Sequence, residues 1–117
     1  MSLEFLDEKK FHTEITSADQ VWVAKGIYGN IYFLDVLPDG ICLPVWSNQE
    51  KVIDYLANAR PIGPKYSPFS VSLDRFTETW MTNPGMAIEE LAINPDGRST
   101  RMLIISTEEF LAARNKH

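Results

Sequence analysis

The chain has 117 residues, enough for one domain with a single core, and its hydrophobic fraction of 44% and charged fraction of 23% exclude gross disorder and fibrous repeats. Sixteen Asp and Glu against eleven Lys and Arg give a net charge of −5, which disfavours a nucleic-acid partner. The first residues lack the basic and apolar regions of a signal peptide, and no apolar run reaches transmembrane length. We therefore expect a cytoplasmic protein without membrane contact.

The N-terminal part of the chain is predicted to be a helix followed by three strands. Residues 3–17 are mostly polar with apolar residues on one side, which is typical of an amphipathic helix, and His12 is expected on its solvent-exposed face. β-branched and aromatic residues then favour three strands, at 21–23, 30–36 and 40–46. Turn residues at 26–30 and at Pro38-Asp39-Gly40 join them, so the sequence predicts an antiparallel meander.

A corner between a strand and a helix is predicted at Leu43-Pro44-Val45-Trp46. Pro44 has no N–H to donate to a sheet, so the third strand should lie at a sheet edge or end at that residue. Ser47 has Glu50 three positions later, which is the capping-box pattern of a helix N-terminus. The periodic apolar residues that follow predict a second helix at 48–58.

The remaining residues predict a connection, two helices and three strands. Three prolines and a glycine make 60–69 an irregular surface connection, a short strand follows at 69–71, and Ser72 can cap a third helix. Two strands at 86–93 and 101–105 flank a turn sequence, with a bulge expected near Glu89-Glu90 where the apolar phase changes. Ser106 with Glu109 repeats the capping-box pattern and starts a last helix that ends near residue 115.

The order of these elements indicates the fold class. Residues 1–117 are expected to form a single α+β domain with a mostly antiparallel sheet, made of the meander and a C-terminal hairpin, packed with about four helices. No series of alternating strands and helices demands a parallel sheet.

The sequence contains none of the common catalytic or nucleotide-binding motifs, such as a phosphate loop, Gly-x-Gly-x-x-Gly, His-Glu-x-x-His or Gly-x-Ser-x-Gly. The single cysteine, Cys42, lies in an apolar strand pattern and is interpreted as a small buried hydrophobe. We therefore assign no catalytic residue, expect no metal or cofactor, and favour a non-enzymatic protein.

The best candidate for a binding face is the predicted corner. Trp46, Ser47 and Asn48 would combine there with Tyr66 from the proline-rich connection to bind a ligand or a partner. The alternative for Trp46 is that it simply packs in the core, as most aromatic residues at element ends do.

Several short segments, spread over most of the chain, carry a resemblance to a known family. They are Val21-Trp22, Asp39-Gly40, Leu43-Pro44-Val45-Trp46 with Glu50, Val71-Ser72-Leu73-Asp74-Arg75-Phe76, and Trp80. With these residues the chain resembles the uncharacterised bacterial family catalogued as domain of unknown function 2750. The resemblance implies a small bacterial α+β protein, and it supplies no activity or catalytic residues.

Two hypotheses for function follow. The first is a protein that binds another protein, as a small regulator or an immunity-type partner, or binds a second copy of itself through an exposed edge strand. The second is a small-molecule-binding protein, or an enzyme of unknown type, with its site at the corner of Trp46, Ser47, Asn48 and Tyr66.

Overall fold

The computed structural model describes residues 3–59, 63–98 and 102–115, with the side chains of 7–59, 63–98 and 102–114. Within these residues the helices are α1 (Leu3–Ala18), α2 (Gln49–Asn58), α3 (Leu73–Arg75) and α4 (Thr107–Asn115). The strands are β1 (Gln20–Gly26), β2 (Asp35–Leu37), β3 (Gly40–Val45), β4 (Tyr66–Ser72), β5 (Ile88–Ile93) and β6 (Leu103–Ser106). A 3-10 turn (Gly63–Lys65) precedes β4, and a π-helical turn (Phe76–Trp80) extends α3. This order confirms the predicted α+β class; residues 60–62 of the expected connection and residue 101 of the expected last strand lie outside the description.

Two sheets share the core. β1 and β4 form an antiparallel pair over seven residues, and the second sheet has the order β2-β3-β5-β6. The predicted hairpins of β2 with β3 and of β5 with β6 are present. The predicted strand at 30–36 is a regular strand only at Asp35–Leu37, so its predicted hairpin with β1 is reduced to a bridge between Lys25 and Ile31. The main partner of β1 is β4, and this pairing satisfies backbone groups along the whole of β1.

The central pairing of the second sheet is parallel, which the sequence did not predict. β3 runs parallel to β5, from Ile41 beside Ile88 to Val45 beside Ile93. The segment that contains α2, β4 and α3 makes the crossover between the two strands, as a parallel pair requires. The ends of the two strands at Val45 and Ile93 therefore lie side by side at the same end of the sheet.

The bulge predicted near Glu89-Glu90 is confirmed. Ile88 and Glu90 face the consecutive residues Ile41 and Cys42, so Glu89 is the extra residue of β5. The backbone at this point comes very close to the start of β3, because a Cβ atom on Gly40 would lie 2.1 Å from the carbonyl oxygen of Ala87. Glycine at position 40 is thus required for this close approach.

Pro44 lies in an inner strand that continues to Val45, contrary to the prediction of an edge or a strand end. On the side of β3 away from β5, the Cys42 carbonyl accepts the N–H of Leu34, and Trp46 exchanges two backbone hydrogen bonds with Trp22. Pro44 falls between these two points, where neither β2 nor β1 reaches it. The missing N–H therefore costs no hydrogen bond.

The buried side chains form two clusters. We call the larger one the main core; it contains Phe11, Ile15, Val21, Val23, Leu43, Val45, Val71, Leu73, Phe76, Trp80, Met81, Ile88, Leu91, Ile93, Ile105 and Phe110. The smaller one, the aromatic cluster, contains Ala24, Trp46, Val52, Tyr55 and Leu56, with Trp22, Tyr32, Leu34, Ala59 and Tyr66 packed against it. The predicted core face of the third helix, Leu73, Phe76 and Trp80, is confirmed.

His12 does not lie on an exposed face as predicted, because it is only 5% exposed. Its ring stacks on Phe110 of α4 with centroids 5.1 Å apart, and its Nε2 lies 3.8 Å from the carboxylate of Glu8. The side of α1 that carries His12 was predicted to be exposed because its residues are polar, but α4 packs against it and covers it.

Candidate functional site

Trp46, the central residue of the predicted corner, is completely buried in the aromatic cluster. Its indole N–H donates to the carbonyl oxygen of Pro95 at 2.9 Å, and its ring lies 5.2 Å from that of Tyr55. A buried indole needs such a partner, and the bond ties the corner to the turn after β5. Trp46 therefore positions neighbouring residues and presents no surface of its own.

Ser47 is buried and connects three parts of the chain. Its backbone N–H donates to Asn94 Oδ1 at 2.9 Å, and its hydroxyl donates to Glu14 Oε1 at 3.1 Å. The prediction that Ser47 caps α2 is wrong by one residue, since Asn48 Oδ1 accepts the N–H of Lys51 at 2.9 Å. Ser47 is occupied by α1 and by the turn after β5, and Asn48 takes the capping role.

Tyr66, the fourth predicted residue, lies half-buried at the start of β4. Its ring packs 5.2 Å from that of Tyr32, and its hydroxyl accepts a hydrogen bond from Asn30 Nδ2 at 3.1 Å. Trp46 and Tyr66 thus share the aromatic cluster, while Ser47 contacts α1 and the turn after β5. The four predicted residues therefore do not form one binding face: of the four, only Tyr66 lines either of the two surfaces described next.

The first surface, which we call the polar cleft, lies between α1, the start of α2 and the turn after β5. Its volume is about 270 Å³, and it is lined by Asp7, Lys10, Glu14, Lys51, Ile93, Asn94, Pro95, Asp96, Met102 and Leu103. Two partners of Ser47, Glu14 and Asn94, belong to this lining. The spacing of Asp7, Lys10 and Glu14 on α1 is a signal that the sequence contained and that our sequence analysis did not use.

The second surface, which we call the apolar groove, lies between α2 and β4. It is a shallow depression of about 590 Å³ lined by Ile53, Leu56, Ala57, Gly63, Pro64, Tyr66, Ser67 and Pro68. The described residues of this lining carry no charged side chain, and Ile53 is 48% exposed. Tyr66 connects the groove to the aromatic cluster below it.

A third cavity, of about 510 Å³, lies beside the bulge of β5 and the start of α4. Asp39, Glu89 and Glu108 belong to its lining, and Glu89 Oε2 is buried with no hydrogen-bond partner among the described residues. Among the residues that the structure describes, no group of His, Cys, Asp and Glu is arranged to hold a metal ion.

The side chains with the greatest intrinsic reactivity are buried. Cys42 is confirmed as a buried residue, and burial, followed by the negative charges of Glu90 and Asp35, raises the pKa of its thiol to about 11. The thiol is therefore protonated at neutral pH and is a poor nucleophile. Burial and the hydrogen bond to Tyr32 likewise raise the pKa of Tyr55, which stays a neutral hydroxyl.

Comparisons with known proteins add little to this geometry. No protein-family model matches the chain, and a search of the curated proteins found no match. Among solved structures the chain is similar to Anabaena Tic22, which is described under protein transport, with 14% identity and a TM-score of 0.45. The alignment covers 80% of this chain and 46% of that one, so the chain spans less than half of the Tic22 structure. A likeness at this level supports no conclusion about function.

In the described part of the chain, no helix is both long and apolar enough to cross a membrane.

Proposed function

We propose that this chain is a non-enzymatic binding module that holds a segment of another protein in the apolar groove. The observation that carries the proposal is the groove itself, whose described lining residues are all uncharged and include the half-exposed aliphatic side chain of Ile53. We further propose that the protein acts in the cytoplasm as a small regulator or immunity-type partner. On the residues named above, we also propose that it belongs to the family of domain of unknown function 2750.

The contribution of α2 supports this function. Val52, Tyr55 and Leu56 of this helix are buried against the aromatic cluster, whereas Ile53 points to the groove and remains 48% exposed. Complete burial of an exposed Ile side chain contributes about 1.5–3 kcal/mol, and because Ile53 is already about half covered, a partner would gain roughly half of that. Within the groove lining, a partner would therefore gain more at Ile53 than at Leu56, which is already buried.

The turn after β1 extends the same surface. The N–H of Ile27 donates to the carbonyl oxygen of Lys65, next to the groove residues Pro64 and Tyr66, at 3.2 Å. Ile27 is strongly exposed, and Tyr28 beside it is 90% exposed. Exposed tyrosines are enriched at the energetic centres of protein interfaces, so this turn would form one wall of the docking site.

The charge of the chain indicates which kind of partner segment would bind in the apolar groove. The lining residues that the structure describes carry no charge, while the chain as a whole carries a net charge of −5. An apolar segment flanked by basic residues would be attracted by the overall field and would then bury its apolar side chains on Ile53, Leu56 and Tyr66.

A pull-down from a lysate of the native host, with tagged protein, tests the proposal through a pair of variants. Ile53→Glu places a charge in the groove, and Ile104→Glu places the same charge at an exposed aliphatic residue on β6, away from the groove. We expect a partner that wild type and Ile104→Glu retain and that Ile53→Glu loses at least about tenfold. A partner retained equally by all three proteins would show that the groove is not the docking site.

Light scattering on the same proteins distinguishes an external partner from a second copy. If wild type forms dimers at high concentration and Ile53→Glu does not, the groove holds a second copy of the chain. A monomer at all concentrations, combined with the selective pull-down, supports an external partner.

A further inference from the structure

We propose that the polar cleft binds a small zwitterionic molecule of the free amino acid class. This inference is independent of the apolar groove, because the two surfaces share no lining residue. It rests on the charges of the cleft, on the way its wall is fixed and on its size.

Charges of both signs face the cleft without neutralising one another. Asp7, Lys10 and Glu14 follow one face of α1, and Lys51 lies across from them on α2. Among the described residues, the side chains of Asp7, Lys10 and Lys51 have no ion-pair or hydrogen-bond partner, and the carboxylate of Glu14 accepts only the Ser47 hydroxyl. A ligand with both a carboxylate and an ammonium group would pair with both kinds of charge.

The wall between α1 and the turn after β5 is fixed in place. Ser47 is 3% exposed and bonds to both Glu14 and Asn94. Asn94 adopts a left-handed backbone conformation with φ of 48°, and its N–H donates to the carbonyl oxygen of Val45 at 2.8 Å. Groups that are ordered before binding lose little conformational entropy on binding, which favours recognition of a small ligand.

The size of the cleft restricts the ligand further. Its volume of about 270 Å³ lies below the range of roughly 300–1,000 Å³ that is usual for drug-sized ligands. Within this space the ammonium groups of Lys10 and Lys51 would bind the ligand carboxylate, and Glu14 with Asp7 would bind its ammonium group. The Asn94 side chain can donate to the ligand carboxylate through Nδ2 or accept from its ammonium group through Oδ1.

NMR titration of the full chain tests the proposal. Each of the twenty standard amino acids is titrated separately into the protein. The amino acid that binds most tightly is then compared with two analogues, the acid that lacks its amino group and the amine that lacks its carboxylate. We expect saturable shifts of the amides of Glu14, Ser47, Lys51 and Asn94, with the acid and the amine each at least about tenfold weaker because each loses one charged contact. An acid that binds as tightly as the amino acid would overturn the zwitterion class, and no saturation with any amino acid would overturn the site.

Two variants and one control locate the binding. Lys51→Met should weaken binding at least about tenfold, and Glu14→Gln, which keeps an oxygen that can accept from Ser47, should weaken it by a similar factor. Lys65→Met removes an exposed lysine outside the cleft and should leave the affinity unchanged. Equal loss in all three variants would show a non-specific charge effect and would contradict the assignment.

Discussion

The main core and the aromatic cluster differ in what holds them together. The main core consists almost entirely of hydrocarbon side chains gathered from both sheets and from α1 and α4. The aromatic cluster includes Trp46, Tyr55, Tyr32 and Tyr66, each of which makes a hydrogen bond within the protein. Stability should thus depend on filled volume in the first and on satisfied polar groups in the second.

The largest loss of stability is expected from removing an aromatic ring in the main core. Phe110 is completely buried, with the rings of Phe76 at 5.9 Å and Phe11 at 6.5 Å. Phe110→Ala should lower the free energy of unfolding by about 3–5 kcal/mol, because it removes buried area and leaves a cavity. Urea denaturation followed by circular dichroism measures the loss. Ile104→Ala, at an exposed residue, is the control, and a loss at Phe110 no larger than in this control would contradict the role of the main core.

A smaller loss of stability is expected when a single tyrosine hydroxyl is removed from the aromatic cluster. The hydroxyl groups of Tyr32 and Tyr55 lie 3.0 Å apart. Tyr55→Phe should lower the free energy of unfolding by about 0.5–1.5 kcal/mol, the usual contribution of one hydrogen bond. Tyr28→Phe removes the same oxygen from a fully solvated ring and should change nothing measurable in the same denaturation experiment. Equal stability of the two variants would show that the aromatic cluster, like the main core, depends on volume alone.

The sequence predicted those features that depend on neighbours along the chain. Ser72 and Ser106 accept hydrogen bonds from the N–H groups of Arg75 and Glu109, as their helix-start patterns indicated. The bulge at Glu89 was visible as a shift in the apolar period. The pairing of β1 with β4, and the parallel pairing of β3 with β5, involve residues far apart in sequence, and local patterns carry no information about them.

The candidate surfaces were less predictable for the same reason. The sequence marks Trp46 as a large aromatic residue with a polar N–H, but only the fold brings the carbonyl of Pro95 to it and buries both. Ser47 has the pattern of a helix cap, yet contacts from Glu14 and Asn94, at separations of 33 and 47 residues, decide its position. Tyr66 was predicted to lie within the irregular connection at 60–69, with a strand only at 69–71, but it is the first residue of β4, and its groove is formed with α2.

The smallest change in stability is expected at Glu8, a partly buried carboxylate at the edge of the main core. Burial, followed by the negative charge of Glu109, raises the pKa of Glu8 above its ordinary value of 4.5. The folded protein therefore holds this proton more tightly than the unfolded chain does. The resulting stabilisation is present below pH 4.5 and is lost as the pH rises through the folded pKa. Glu8→Gln should thus be more stable than wild type at pH 7 by less than about 1 kcal/mol, with the difference vanishing in acid.

Urea denaturation of both proteins between pH 4 and pH 8 measures this difference, with Glu78→Gln as an exposed control. The His12 ring, 3.8 Å from Glu8, provides the competing interaction, because a protonated imidazole would attract the carboxylate. If Glu8→Gln is instead less stable than wild type at pH 7, the contact between Glu8 and His12 outweighs the cost of burying the carboxylate. The edge of the main core would then depend on a satisfied polar contact, as the aromatic cluster does.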